Sequence, residues 1–236
     1  MKNMIVITQK ELRAYFTTPV AYVVIAAFLA VMGFFFWLIV SLTREASLRG
    51  VFANMAVTLL FIAPALTMRL LAEEQRSGTI ELLLTLPVRD WQVVVGKFLA
   101  SLAVFAVMLG LTLYYPLLWL RLGNPDLGPI GSGYVGLLLL GGSCLSIGLF
   151  TSSLSRNQVV AALLGFGAML ILWVIDIAGG LLGSPVSDVV TYLSMSQHYF
   201  DFVRGIISTK DLTFYLAVMA AFLFLSVQVL QLRRWR

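Results

Sequence analysis

The residue types that usually carry chemistry are few in this chain, and most lack the partners their chemistry needs. The only histidine, His198, has Asp188 and Asp201 near it in sequence. Three residues of two types, without a second histidine, do not make an acid–base or metal constellation, so the three read as hydrogen-bonding groups at a surface. Ser143 and Ser146, in GGSCLSIG, sit in an apolar run where no base can activate a hydroxyl. Small residues there favour close helix packing, as do Gly179 and Gly183 at four-residue spacing. A single cysteine, Cys144, excludes a disulfide or a Cys-based metal site within the chain. The one Gly-Lys pair, Gly96-Lys97, is followed by Phe98 and lacks the upstream glycine of a phosphate-cradling loop. Lys97 therefore reads as an anchor at the membrane interface, the chain reads as no enzyme, and no cofactor is expected on it.

Two features remain. Asp176, in WVIDIAGG, is the only acid well inside an apolar run. Counted from Val159 at about 1.5 Å per residue it lies roughly 26 Å along a helix, near an interface, where a carboxylate reaches water. Asp176, His198 and Arg204 are the candidates for an external or pathway role. The second feature is the stretch MRLLAEEQRSGTIELLLTLPVRDWQVVVGK, residues 68–97. Here Glu73, Glu74, Arg76, Glu81, Arg89, Asp90 and Lys97 surround Ile80, Leu82, Leu83, Leu84 and Leu86, and Pro87 closes the run. Aliphatics this dense in a polar loop need a surface to bury against. Gly78 breaks the preceding helix, Ser77 or Gly78 can cap a new one, Glu81 suits its first turn and Pro87 ends it. The spacing predicts a short amphipathic helix over 78–87, with Asp90 capping the helix that follows. Such an element either packs beneath a membrane bundle or serves as the handle by which a second protein moves it.

The elements that must position these groups are membrane spans. Of 236 residues, 60% are hydrophobic and 11% charged, against about 25% charged in soluble domains. Apolar runs long enough to cross about 30 Å of hydrocarbon predict spans at 20–42, 51–71, 98–120, 134–153, 159–177 and 213–232. The first is too long for a cleavable leader and reads as retained. Pro64 should kink the second. Residues 3–18 form an amphipathic interfacial helix with Lys10 and Arg13 toward lipid headgroups, although Val6 and Ile7 fall outside its pattern. Residues 123–133 are turn-rich, and 183–210 hold short external helices. The expected fold is an all-α membrane protein of six transmembrane helices, occupying 1–236 as a single domain.

Six spans put both termini on one side. Grouping the termini, the 69–97 loop and the 153–158 turn collects Lys2, Lys10, Arg13, Arg69, Arg76, Arg89, Lys97, Arg156, Arg233, Arg234 and Arg236, leaving Arg44, Arg49, Arg121, Arg204 and Lys210 opposite. The positive-inside rule makes the first side cytoplasmic. The net charge of +5 is scattered over helix ends and forms no nucleic-acid patch.

Taken together, residues 66–100 (LTMRLLAEEQRSGTIELLLTLPVRDWQVVVGKFLA) resemble the second-span exit, coupling helix and third-span entry of type-2 ABC exporter permeases, most closely the gliding-motility-type permease subunits. The resemblance continues through KELRAYFTTPVAYVVIAAF, NPDLGPIGSGYVGLLLL, GLFTSSLSRNQVVA and LSMSQHYFDFVRGIISTKDLTFYL, with one departure, Gly-Ser-Gly-Tyr at 131–134 in place of Gly-Ser-Tyr. It implies a multi-pass protein of the bacterial cytoplasmic membrane that contacts membrane lipid. It also implies a cytoplasmic ABC ATPase dimer that binds ATP and Mg. A second permease subunit is implied as well, identical or different, the latter with a large periplasmic domain. Glu73, Glu74, Arg76, Gly78, Thr79, Glu81, Leu82, Leu83 and Leu84 become ATPase-coupling positions by this resemblance. The implied function is conversion of ATPase closure into movement of the spans. The alternatives are mechanical transmission to a periplasmic partner without transport, or a proton-coupled secondary transporter, which would need more intramembrane ionisable groups than Asp176.

Overall fold

In hydrocarbon every backbone polar group must find its partner within the protein, and a helix does so along its own length. The computed structural model describes residues 2–43, 48–79, 88–122, 126–180 and 186–234, and among these all regular structure is helical. The helices are α1 (Lys2–Thr17), α2 (Pro19–Thr43), α3 (Arg49–Thr67), α4 (Arg69–Ser77), α5 (Asp90–Thr112), α6 (Tyr114–Leu122), α7 (Leu127–Leu154), α8 (Gln158–Gly179), α9 (Val186–Tyr192), α10 (Met195–Val203) and α11 (Thr209–Arg234). Among the described residues, six stretches are long and apolar enough to cross a membrane: α2, α3 with α4, α5 with α6, α7, α8 and α11. An even number of crossings returns the chain to the end from which it set out. That end carries α1, α4 and the start of α5; the far end carries α6, α9 and α10.

The bundle is built around α7. Its apolar window is 78% buried, against 11% for α2 and 17% for α8 and α11, so the outer helices turn most of their surface outward while α7 is enclosed. Helices α3, α5, α8, α10 and α11 all pack on it. Small residues permit this: a methyl group on Gly141 would sit 2.1 Å from the Phe105 ring of α5. Ser143, read from sequence as a packing residue, donates to the Tyr215 carbonyl of α11 at 3.2 Å. Around α7 lie Phe52, Phe105, Tyr199, Phe202 and Tyr215, all in one apolar core.

Several helix starts precede the expected ones. The fourth span begins at Leu127 and not at Tyr134, because Asp126 caps it by accepting from the Gly128 N–H at 3.2 Å, and Pro129 falls in the first turn where its missing N–H costs nothing. The third span begins at Asp90 and not at Phe98. Arg89 is its N-cap residue, with the Arg89 N–H donating to Gln92 Oε1 at 3.2 Å, so Asp90 is the first helical residue and not the cap. The sixth begins at Thr209, four residues early. The second crossing is interrupted at Met68, one turn after Pro64. Of the expected coupling helix at 78–87, Gly78 and Thr79 are described; Glu81, Leu82, Leu83 and Leu84 lie outside the described residues, as does Gly183.

Helix α1 packs along α5. Ile7, which had fallen outside the amphipathic pattern, faces Gly96, where an added methyl would lie 2.9 Å from Ile7 Cγ2. Thr8 Oγ1 donates to the Gly96 carbonyl at 3.1 Å. The residue that looked wrong for lipid is right for a helix.

Candidate coupling site

Lys97 is not an interfacial anchor. It lies two turns into α5 with 1% of its side chain exposed, and its ammonium is 2.9 Å from Glu11 Oε1 of α1 and 2.8 Å from Glu74 Oε1 of α4. Taking an ammonium out of water is costly unless anions meet it, and here two do. The cation thus joins three helices at the root of the 78–87 segment. Glu74 is turned inward to this cluster, with its second oxygen buried and unpartnered. Glu73, Arg76, Gly78 and Thr79 are exposed beside it. Gly78 ends α4 with φ 73°, a left-handed geometry that suits glycine, and Ser77 Oγ and Thr79 Oγ1 share a hydrogen bond of 2.9 Å.

A second joint holds the other side of α4. An isolated helix start leaves its first N–H groups unpaired. Here the Ser152 hydroxyl, from the end of α7, accepts from the N–H groups of Leu71 and Ala72, both at 3.1 Å, and donates to the Met68 carbonyl at 2.9 Å. Gln75 Nε2 donates to the Ser153 carbonyl at 2.9 Å. Tyr15 of α1 donates to the Leu66 carbonyl at 2.6 Å beneath the Arg69 guanidinium, which sits 4.8 Å over the ring. Burial pushes the Tyr15 phenol well up, with Arg69 pulling the other way. A cleft of about 410 Å³ opens between α1 and α4, lined by Lys10, Glu11, Arg69, Glu73 and Thr79 among others. Lys10 and Arg13 are exposed on α1.

Glu11, Ser152, Gln75 and Tyr15 were missed from sequence. An acid in an amphipathic helix and a serine at a helix end have ordinary local explanations, and their partners lie 86 and about 80 positions away.

At the far end, His198 is not a surface group. It is 4% exposed and its partner is Asp211, not Asp188 or Asp201. Its Nδ1 lies 2.6 Å from Asp211 Oδ1 and its Nε2 2.9 Å from the Tyr192 carbonyl. A carbonyl oxygen only accepts, so Nε2 carries hydrogen, and the Nδ1–Oδ1 bond holds one further proton on ring or carboxyl. The ring stacks on Phe214 with centroids 4.0 Å apart. Asp176 accepts from Gln197 Nε2 at 3.0 Å, and Arg204 lies 3.7 Å from Asp201 at the surface. Tyr199 donates to the Phe52 carbonyl at 3.0 Å, and burial pushes its phenol well above the ordinary value. The three external candidates thus share α8, α10 and the turn after α10, while only His198 is a buried structural pair.

Six apolar crossings among the described residues, five of them arranged about the enclosed sixth, α7, with polar joints at both ends, define a multi-pass helical membrane protein. A family model described as ABC-2 family transporter protein matches residues 43–232, most of the chain, and the chain belongs to that family. It is therefore a permease-type membrane subunit of an ABC transporter, and membership implies partnership with an ABC ATPase. A search of curated proteins returned no match.

Proposed function

We propose that the chain works as the membrane subunit of an ATP-driven exporter whose ATPase grips the 78–87 segment from the cytoplasm. The observation that carries this reading is the Glu11–Lys97–Glu74 cluster at the root of that segment. A handle transmits force only if its base is stiff. Lys97 binds α4, which leads into the segment, to α5, which leads out of it, and to α1. Ser152 and Gln75 bind α4 to the central helix. Closure of two ATPase subunits on bound ATP and Mg then displaces α1, α4 and the start of α5 together, tilting the second and third spans against α7.

The polar, lysine- and arginine-rich end is the cytoplasmic one in this reading, with both termini there, in a bacterial inner membrane. Glu73 and Arg76, exposed beside the cluster, are the docking charges. Gliding-motility-type kinship, and a second permease subunit, identical or with a periplasmic domain, rest on the resemblance of residues 66–100 and of the later runs. The test is co-purification with the ATPase and ATP turnover after E73A and R76A, singly and together. Loss of assembly or turnover is expected; full assembly and turnover in the double variant would remove these residues from the docking surface.

A further inference from the structure

We propose that the far-end cavity is a headgroup site for an aminophospholipid. The cavity encloses about 520 Å³ between α9, α10 and the start of α11, within the roughly 300–1,000 Å³ typical of small-ligand sites. It is walled by Asp188, Tyr192, Asp201, Arg204, Lys210 and Asp211 among others.

Three of these leave specific chemistry unmet. Asp211 is 2% exposed; its Oδ1 is taken by His198, but its Oδ2 is buried without a partner. Leaving such an acceptor unsatisfied is costly, so a hydrogen-bond donor belongs there. His198 cannot supply it, because both its nitrogens are committed, and Tyr215 donates to the Met195 carbonyl. Asp188 is exposed and, among the described residues, pairs with no cation. Lining the same cavity, the Lys210 ammonium lies over the Tyr192 ring, 5.0 Å from its centroid, and forms no ion pair with a carboxylate among the described residues. The unmet groups therefore ask for an N–H-bearing cation on the Asp211 and Asp188 side and an anion at Lys210. An ammonium joined to a phosphate by a short linker is that ligand.

The rim identifies its source as lipid. Phe200, which lines the cavity, is exposed, and so are Ile206 and Ile207, in the turn between the lining residues Arg204 and Ser208. The turn that carries the two isoleucines is held rigidly: Gly205, at φ 95°, ends α10 in a Schellman motif, with the Ile206 N–H donating to the Asp201 carbonyl at 2.9 Å and the Gly205 N–H to Phe202 at 3.1 Å. Lys210 and Asp211 occupy the first turn of the last span, at the boundary between hydrocarbon and water. A free zwitterion would have no use for that apolar rim; acyl chains would.

The experiment uses the full-length chain in nanodiscs of phosphatidylglycerol, doped with short-chain phosphatidylethanolamine, phosphatidylcholine or phosphatidylglycerol and read by native mass spectrometry. Phosphatidylcholine carries the same charges but no N–H, so it cannot satisfy Asp211 Oδ2. Retention of phosphatidylethanolamine about tenfold above both other lipids is expected. It should fall to their level in D211N, which keeps an acceptor for His198 but presents an amide N–H to the cavity. Because D211N can disturb the buried pair, D188N and K210Q, both at exposed positions, are measured alongside and should each lower retention several-fold. Equal retention of the three lipids, or a preference unchanged in all three variants, would overturn the site. Soluble phosphoethanolamine competing as well as the lipid would overturn the lipid assignment.

Discussion

Replacing Lys97 by methionine is the sharpest test of how this membrane subunit is built. Methionine keeps most of the volume and removes the charge. The carboxylate oxygens of Glu11 and Glu74 lie 2.9 and 2.8 Å from the ammonium, so without it they stand no further apart than the sum of those two distances. Two full charges at about 6 Å and an effective dielectric of about 20 repel by about 3 kcal/mol. That agrees with the roughly 3–5 kcal/mol lost when one member of a buried ionic cluster is removed. The carboxylates are only 13% and 16% exposed, so water does little to relieve them. K97M should therefore lose about 3 kcal/mol in reversible unfolding from mixed micelles, with α1 becoming protease-sensitive first. Adding E11Q and E74Q removes the repulsion and should restore most of that stability. If the cluster is a mechanical joint, the triple variant still assembles with the ATPase but transmits poorly, and ATP turnover stays uncoupled from the membrane subunit. Two results refute this. K97M within 1 kcal/mol of wild type would show that the cluster contributes little to stability. A triple variant with normal coupled turnover would show that it holds the fold and nothing more.

Two further outcomes follow from the same end of the bundle. S152A leaves the N–H groups of Leu71 and Ala72 without their acceptor and should cost about 1–2 kcal/mol, with faster hydrogen exchange confined to α4; protection unchanged there would show that the cap is dispensable. Tyr15 has its phenol raised above the ordinary 10.0 by burial, so the folded state prefers the neutral form. Its contribution is complete below pH 10.0 and declines as pH rises through that value toward the folded one. Y15F should flatten this alkaline loss while costing about 0.5–1.5 kcal/mol at neutral pH through the hydrogen bond to Leu66. An alkaline limb identical in wild type and Y15F would assign it to other groups.

The crossings were legible in the sequence because hydrocarbon imposes a one-dimensional rule: about 20 apolar residues in a row make a span whatever surrounds them. The polar stretch with stranded leucines stood out for the same reason. Helix starts were less legible. Gly128, Pro129, Gly131 and Gly133 read as turn residues, yet they open α7, where the Asp126 cap and the packing of neighbouring helices outweigh local preference. The pairs were not legible at all. Lys97 looks like any basic residue at the end of a span, Glu11 like any acid on an amphipathic helix, and His198 like a lone surface histidine. What distinguishes them is burial, and burial depends on which helices come together. The sequence by itself determined that this chain lives in a membrane, how many apolar stretches it has to cross with and which loop is exceptional. Only the tertiary structure decided that a single lysine ties that loop's two flanking helices to α1, because an ion pair's energy depends on distance and solvent exclusion, and neither is a property of sequence spacing.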